Sequence, residues 1–415
     1  MKKPEFKAAV EISREWEGDK VAKELVGKLK NKTPNPKFIL LFTTIHYEKE
    51  FKKILSGIKN AFPDSPLIGG TIAGFITPEG CFTRGVTCLA IDYPNMEVSI
   101  GVGHNTKKDP QKASREFAEK VKNKSKNKLI FDIISGSVIP KFPRMGRMNV
   151  SFSKSKGALL SKLLSNAGKF GTGVGKEEEI IKYLIKEFSN SFIFGLSSMD
   201  DGKMIKNYQF VNEEVLSNSI VGLNIETDLN FNILFTHGLA ETEKKFKITK
   251  ISEDGRIVKE LDGKPAVDRF MEAMGWSKEW IGNLDKFYRT TFFYPFGFKK
   301  DKTICPCNIG GFLGADIPLG YSVEGKELLV LSASGNSLIE AAKKITKVAL
   351  TNKKLNIFVN CGATLEALGD KVFKIREVLM KKFKSFIVIY GSGENFYNPP
   401  KEGFHLNESI VLLQI

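Results

Sequence analysis

Side chains that could do chemistry gather towards the C-terminus of the chain. Cys361 ends an apolar run, and Glu394 lies within a glycine-rich run. His405 and Asn407 precede the last apolar run. If neighbouring strands carry these residues, a thiol, a carboxylate, an imidazole and an amide could converge on one site. Such a site could hold a zwitterion, because the carboxylate would bind an ammonium group while amide and backbone N–H groups would bind a carboxylate.

Two other interpretations of this C-terminal group remain open. Cys361, His405 and Glu394 could form a catalytic set with the thiolate as nucleophile, although the sequence places no base beside the thiol. The alternative function is therefore a cysteine-dependent enzyme. Cys361 could also be a buried cysteine that packs as a small apolar side chain.

Metal and cofactor motifs are weak in this sequence. Structural zinc usually needs four nitrogen or sulfur ligands, whereas Cys305 and Cys307 form a lone pair and the four histidines are spread along the chain. Residues 170–176 (FGTGVGK) resemble a phosphate-binding loop but lack its GxxxxGK[ST] spacing, so we interpret them as a turn. We predict no metal site and no cofactor.

Three glycine-rich stretches that follow apolar runs, residues 69–74, 195–201 and 391–395, form a second group of candidates. Glycine lets backbone N–H groups approach a ligand closely, and ligands of open α/β sheets bind beyond the carboxyl ends of strands. These glycines could instead only form tight turns or pack against a helix. The predicted ligand-binding residues of both groups are Gly69, Gly70, Thr71, Gly74, Asp200, Cys361, Gly391, Gly393, Glu394, His405 and Asn407.

The elements that must position these residues recur along the chain. A strand, a helix, a strand with a glycine-rich end, a loop and a strand follow one another from residues 37–44, 129–136 and 356–361. A strand, a turn and a helix precede the two later copies, at 97–124 and 326–353. Strands joined by a helix should be parallel, while those joined by a loop are free to be antiparallel. We therefore predict internal duplication and an α/β fold of two linked domains with mixed β-sheets flanked by helices.

The region between the later copies differs, because residues 229–325 contain short strand-like runs. We place a domain boundary near residue 235. The predicted organisation is an N-terminal helical extension over residues 1–34, an α/β domain over residues 35–235 and a second α/β domain over residues 236–415.

Length and composition exclude several classes of protein. The 415 residues are 42% apolar, which suits two or three globular domains. No apolar stretch approaches the roughly 20 residues of a membrane span, and acidic residues interrupt the N-terminus before a signal-type core could form. We expect a soluble, cytoplasmic protein without a membrane partner. Five cysteines do not form a disulfide scaffold.

The net charge of +16 comes mainly from lysine, since only nine of the 63 basic residues are arginine. Proteins that read bases favour arginine because its planar fork binds in a bidentate manner. Abundant lysine and glutamate with scarce glutamine is typical of a thermophile. We interpret the charge as a solvated lysine surface and expect no specific nucleic-acid binding.

Several segments resemble the FIST family, which pairs a FIST N domain with a FIST C domain. Residues 65–91 (SPLIGGTIAGFITPEGCFTRGVTCLAI) and the segments FIFGLSSMDDGK and ILFTHG resemble the first domain and its junction with the second. LSASGNSLIEAAKKI, FVNCGATLEALGDK, YGSGENF and HLNES resemble the second. The chain departs from the family pattern at Gly70, where many members carry cysteine, and at Thr364, where arginine is frequent.

The resemblance implies an intracellular sensory module that binds small ligands, amino acids among them. It also implies an output domain that receives the signal. We expect this output on a separate signalling protein, and we expect a small-molecule ligand as the first partner of the chain.

Overall fold

The computed structural model of the protein describes residues 4–121, 128–139, 141–142, 146–147, 150–151, 153–277, 291–300, 303–323, 327–401 and 403–415. The α-helices in these ranges are α1 (Gly18–Lys32), α2 (Phe51–Ala61), α3 (Pro110–Val121), α4 (Lys154–Ala167), α5 (Glu177–Glu187), α6 (Ala266–Met274), α7 (Gly335–Val348), α8 (Gly362–Leu368) and α9 (Val372–Met380). Among these helices, none has the combination of length and apolarity that crossing a membrane requires.

The strands in the described ranges are β1 (Lys7–Ser13), β2 (Phe38–Thr43), β3 (Leu67–Thr71), β4 (Gly74–Thr77), β5 (Gly80–Phe82), β6 (Val86–Asp92), β7 (Met96–His104), β8 (Leu129–Ser135), β9 (Lys141–Phe142), β10 (Gly146–Arg147), β11 (Val150–Ser151), β12 (Phe192–Ser198), β13 (Gln209–Val211), β14 (Glu214–Leu216), β15 (Ser219–Thr227), β16 (Asn232–His237), β17 (Ala240–Ile251), β18 (Ile257–Leu261), β19 (Lys264–Pro265), β20 (Phe296–Lys300), β21 (Thr303–Cys307), β22 (Phe312–Leu313), β23 (Ile317–Pro318), β24 (Glu327–Ser332), β25 (Asn356–Cys361), β26 (Phe386–Gly391), β27 (Gly393–Tyr397), β28 (Gly403–Leu406) and β29 (Ser409–Gln414).

Three six-stranded sheets share one arrangement of elements. Their strand orders are β1-β6-β2-β3-β13-β14, β7-β15-β8-β12-β27-β28 and β16-β29-β25-β26-β4-β5. The helix-linked pairs β2/β3, β8/β12 and β25/β26 are parallel, and the other neighbours in these sheets are antiparallel. The predicted α/β class with mixed sheets flanked by helices is confirmed, and so is the parallel pairing of helix-linked strands.

The three sheets exchange hairpins in a cycle. The hairpin β4–β5 follows β3 in the chain but pairs with β26, and the hairpin β27–β28 follows β26 but pairs with β12. The hairpin β13–β14 completes the cycle by pairing with β3. Sheets therefore combine strands from both sides of residue 235, and β1 lies in the first sheet. The division of the chain at residues 34 and 235 stays a prediction, as does the duplication itself.

A fourth sheet has the order β19-β18-β17-β24-β20-β21, with β23 paired to β18. It is inserted between β16 and α7, and its strands come from residues 240–332. The strand at the start of the predicted repeat 326–353 is β24, which belongs to this inserted sheet. In sheet position, β16 is the counterpart of β7. The sequence pattern favoured β24, because β24 ends at Ser332, just before α7, whereas the whole inserted sheet separates β16 from that helix.

Amphipathic helices cover the sheets and fix the positions of the strand ends. In α2, Phe51, Ile54, Leu55 and Ile58 form a buried stripe with the 3.6-residue period of an amphipathic helix. Ser334 caps α7 through a reciprocal hydrogen-bond pair with Ser337, which is a capping box. At the carboxyl end of β25 the chain enters α8 directly, since Cys361 is both the last residue of the strand and the N-cap of the helix.

Candidate functional site

A cavity lies at the carboxyl ends of two parallel strand pairs, β8/β12 and β25/β26. Ser137 and Met199 follow the first pair and Cys361 and Gly391 end the second, and all four line the cavity. Loops of the inserted sheet close the other side. The empty space measures about 830 Å³, part of which is open to solvent. We call this space the central cavity; its position is the one at which α/β sheets bind ligands.

The walls of the central cavity are mostly apolar with a few polar groups, which is the usual character of a small-molecule site. The apolar wall residues are Ile139, Leu164, Val174, Met199, Met204, Phe292, Ile309, Pro318, Leu319 and Ala363. The polar wall residues are Ser137, Glu177, Asn308, Cys361, Ser392, His405 and Asn407.

Two amide side chains leave oxygen atoms unused on this wall. Asn407 Nδ2 donates to the Ser392 carbonyl oxygen at 3.0 Å, and Asn308 Nδ2 contacts Cys361 Sγ at 3.9 Å. The Oδ1 atoms of Asn407 and Asn308 are buried and have no hydrogen-bond partner among the described residues. Because an unsatisfied buried acceptor costs about 1–3 kcal/mol, a ligand that donates hydrogen bonds here would recover that free energy.

His405 is held in one orientation by a buried chain of hydrogen bonds. Asn395 Nδ2 donates to Asp132 Oδ1 at 2.6 Å, and Asn395 Oδ1 lies 2.7 Å from His405 Nδ1. Since that oxygen can only accept, Nδ1 carries the proton and Nε2 is left as an acceptor. Burial lowers the pKa of His405 to about 4, so the imidazole is neutral at neutral pH.

Asp132, at the far end of this series of hydrogen bonds, is a buried acid. Burial raises its pKa to about 7, and the hydrogen bond from Asn395 opposes that rise. The protonation of Asp132 therefore changes near neutral pH, two hydrogen bonds away from the wall of the central cavity. Neither Asp132 nor Asn395 was among the predicted binding residues. Asp132 sits inside an apolar run, and Asn395 ends the glycine-rich stretch 391–395, from which only Gly391, Gly393 and Glu394 were chosen.

Cys361 is 2% exposed and lies at the N-terminal cap of α8. Burial, with the nearby carboxyl groups of Glu394 and Glu408, raises the pKa of its thiol. Its sulfur contacts Asn308 Nδ2 and the Ser392 carbonyl oxygen. The thiol therefore forms part of the wall in its protonated state, which does not suit a nucleophile.

Glu394 is fully buried behind the cavity rather than on its wall. Its Oε2 accepts hydrogen bonds from the backbone N–H and the hydroxyl of Ser409, at 3.2 and 2.5 Å. Burial raises its pKa well above the usual range. Cys361, His405 and Glu394 thus bond to different partners, and the arrangement is not that of a catalytic set.

Glu177 supplies the carboxyl group on the cavity wall that the sequence had predicted at Glu394. It begins α5, is buried and lines the central cavity. Burial raises its pKa, and the charges of Lys107 and Arg256 oppose that rise. Its acidic segment looks like a solvated helix face in the sequence, so the sequence did not indicate a wall residue here. In the structure, a Cβ on Gly175 would lie 2.0 Å from Glu177 Oε2.

The first glycine-rich stretch lies in the sheets and not at the cavity. A Cβ on Gly69 would lie 1.8 Å from the Leu41 carbonyl oxygen, and one on Gly70 would lie 2.8 Å from that of Tyr208. Thr71 Oγ1 accepts from the Tyr208 backbone N–H at 3.0 Å. Gly74 lies in β4. These residues permit close strand packing, which was the alternative interpretation of the glycines.

The other predicted residues lie on or next to the central cavity. Gly391, Cys361, His405 and Asn407 are wall residues. Asp200 lies behind the wall, where its carboxylate accepts from the backbone N–H groups of Met204 and Ile205, each at 2.8 Å. These bonds hold the loop that carries Met204 onto the wall.

Gly393 makes room for the imidazole of His405, because a Cβ at residue 393 would lie 2.4 Å from Cε1 of that ring. The loops of the inserted sheet carry the wall residues that sequence reasoning missed altogether. They are Phe292, Asn308, Ile309, Gly310, Pro318, Leu319 and Gly320. No motif in that region pointed to them. Within the described ranges, no group of three or more histidine, cysteine or acidic side chains could hold a metal ion.

Two comparisons with known proteins bear on identity. The chain is similar to an uncharacterized protein of Methanocaldococcus jannaschii, with 26% identity over 253 residues. The similar region covers 60% of this chain and 43% of that protein, so the match spans less than half of the relative's length. The family model described as the FIST N domain matches residues 37–264, which is more than half of the chain. The chain therefore belongs to the FIST family.

Proposed function

We propose that this protein is an intracellular sensor whose central cavity binds a small polar metabolite, with an amino acid as the best-fitting class. The observation that carries the proposal is the pair of unused amide oxygens, on Asn308 and Asn407, in a mostly apolar cavity. An apolar cavity with a few fixed polar groups selects a ligand by the hydrogen bonds that it can complete.

The polar groups of the cavity favour a ligand that donates hydrogen bonds. Asn308 Oδ1 and Asn407 Oδ1 accept, and the neutral ring of His405 adds an acceptor at Nε2. Glu177 adds a carboxyl group to the same wall. An ammonium group brings three donors, and the apolar wall residues would pack against an aliphatic or aromatic side chain.

The origin of the walls supports a role in signalling. One side of the cavity comes from the ends of β8, β12, β25 and β26, and the other comes from loops of the inserted sheet. A ligand that contacts both sides stabilises one position of the insertion over others by its differential affinity. We propose that a separate output protein recognises that position.

The test is a thermal-shift screen with the amino acids and small amines, followed by calorimetric titration of any compound that shifts the melting temperature. A ligand at a hundredfold excess over its Kd stabilises by about 2.7 kcal/mol. Asn308→Leu and Asn407→Leu should each weaken binding about tenfold, since each removes one hydrogen bond. Asn352→Leu, at an exposed position, is the matched control and should leave the Kd unchanged.

A compound that binds with the same Kd to both cavity variants and to the control would show that the central cavity is not the ligand site. Absence of any selective shift across the panel would contradict the amino-acid assignment.

A further inference from the structure

A second cavity lies beside the central cavity and shares Leu164, Val174 and Pro318 with it. We call it the basic cavity. Its empty space measures about 740 Å³, part of which is open to solvent. Its charged wall residues in the described part of the chain are Lys107, Lys108, Lys169, Lys176, Asp254 and Arg256. The Lys107 ammonium donates to the Ser135 hydroxyl at 2.7 Å, so four cations, Lys108, Lys169, Lys176 and Arg256, accompany one carboxylate on this wall. This arrangement favours an anion of more than one charge.

Arg256 is the buried member of this cluster, with 4% of its side chain exposed. Its Nη2 pairs with Glu178 and Glu179. Its Nε and Nη1 are buried and find no acceptor in the part of the chain that the structure describes. Unsatisfied N–H groups on a buried guanidinium are costly, and an oxyanion in the basic cavity would give them acceptors.

The nearby carboxyl groups line other spaces. Glu177 faces the central cavity, while Glu178 and Glu179 line a groove with Tyr321 and Tyr397. Asp254 is occupied within its own turn, because it accepts from the Ser252 hydroxyl and from the Arg256 backbone N–H. The basic cavity is thus left with an excess of positive charge.

Backbone contacts around Lys107 hold the lysines of the basic cavity close to one another. Asn218 Oδ1 accepts from the Lys107 backbone N–H at 2.9 Å and from the Thr106 hydroxyl at 3.0 Å. Gly168 allows the close approach, since a Cβ there would lie 2.7 Å from the Lys107 carbonyl oxygen. This contact places Lys107 and Lys108 next to Lys169.

We propose that the basic cavity binds a phosphate-type dianion, either inorganic phosphate or the phosphate group of a small phosphomonoester. Arginine and lysine together are the usual protein partners of phosphate. Lys176, which ends the glycine-rich run that resembles a phosphate loop, belongs to this cluster. The shared wall residues would let the organic part of a phosphomonoester enter the central cavity.

The probe is inorganic phosphate, titrated calorimetrically into the full chain at constant ionic strength set with chloride. Saturable binding is expected, and acetate at the same concentration should not compete. The triple variant Lys108→Gln, Lys169→Gln and Lys176→Gln should weaken phosphate binding by at least about tenfold. The control variant has the same change of net charge at exposed lysines far from the cavity: Lys23→Gln, Lys52→Gln and Lys381→Gln. It should change the Kd by less than about twofold.

Equal weakening in both triple variants, or heat that never saturates, would overturn the proposal in favour of non-specific attraction to a basic protein. Glycerol phosphate and O-phosphoserine distinguish the two sources of the dianion. If either ester binds more tightly than inorganic phosphate, the natural ligand is a phosphomonoester. If the esters and inorganic phosphate bind equally, the natural ligand is free phosphate.

The basic cavity and the central cavity are tested separately. Asn407→Leu should weaken binding of the metabolite in the central cavity and leave the Kd for inorganic phosphate unchanged. If the metabolite screen fails, the phosphate result is unaffected. If phosphate does not bind, the result of the metabolite screen is likewise unaffected.

Discussion

The imidazole of His405 lies against the bare backbone of Gly393 on the neighbouring strand. A Cβ at residue 393 would lie 2.4 Å from Cε1 and 2.9 Å from Nε2 of that ring. The glycine is therefore required by the position of the histidine and not by a turn. This relationship links a residue chosen for its glycine-rich setting to a residue chosen for its chemistry.

Gly393→Ala should push the His405 ring out of its place and lower the free energy of unfolding by about 1–3 kcal/mol, the usual cost of overpacking a filled core. Urea denaturation measures this loss. The ring movement should also weaken binding of any ligand of the central cavity.

Gly27→Ala is the matched control, because a Cβ there meets nothing within 4 Å and the residue lies inside α1. It should be neutral or stabilise the protein by up to about 1 kcal/mol. A Gly393→Ala variant as stable as wild type, with unchanged ligand binding, would mean that the space beside His405 is not needed.

Asp132→Asn should change how stability depends on pH. Burial raises the pKa of Asp132 to about 7 in the folded protein, against roughly 3.9 in an unfolded chain. The folded state therefore binds the proton more tightly, and wild-type stability from this group is present below the unfolded pKa and is lost as pH rises towards 7. Asparagine keeps the bond to Asn395 without titrating.

The measurement is the difference in unfolding free energy between Asp132→Asn and wild type, from denaturant curves between about pH 4 and 8. This difference should increase with pH up to about 7 and then level off. His405 has a lowered pKa and stabilises in the opposite direction, but it is present in both proteins and cancels. A difference that is flat across this range would show that Asp132 is not protonated in the folded state.

The local elements could be predicted from sequence because they depend on local spacing. The apolar stripe of α2 and the parallel pairing of β25 with β26 follow from periodicity and from the helix between the strands. Cys361 and Gly391 lie on one cavity wall because they end the neighbouring strands β25 and β26. His405 lies within β28 and Asn407 lies between β28 and β29.

The exchange of hairpins could not be predicted, since a hairpin has the same pattern whichever sheet it joins. The stretch that includes Gly69 and Gly74 matches the later glycine-rich ends in sequence. Its glycines nevertheless serve strand packing, since a Cβ on Gly69 would lie 1.8 Å from the Leu41 carbonyl oxygen. Asn308 and Leu319 were not predicted either. A contact between a loop of the inserted sheet and a distant strand end produces no periodicity in the sequence.

Arg256→Met should destabilise the protein by about 3–5 kcal/mol, because it leaves Glu178 buried without its cation. This ion pair connects the inserted sheet, just before β18, to α5. Arg256→Met combined with Glu178→Met should be less destabilised than the sum of the two single variants. A double-mutant cycle from urea curves measures this coupling.

The exposed pair of Lys264 and Glu272 gives the comparison, since both side chains are 57% exposed. Lys264→Met should change stability by no more than about 1 kcal/mol. Strict additivity of the Arg256 and Glu178 substitutions would show that the buried pair does not attach the insertion.

Alkylation of Cys361 distinguishes a wall residue from a nucleophile. The thiol is 2% exposed, and burial with two neighbouring carboxyl groups raises its pKa. Each unit of raised pKa lowers the thiolate fraction about tenfold, and the thiolate is the reactive form. Iodoacetamide should therefore label Cys361 far more slowly in the folded protein than in urea, with Cys88, also buried, as the internal reference.

A ligand in the central cavity should slow the labelling of Cys361 further and leave the labelling of Cys88 unaffected. Labelling of folded Cys361 at the unfolded rate would mean an ionised, accessible thiol, and the cysteine-dependent enzyme would then become the better account of this cavity.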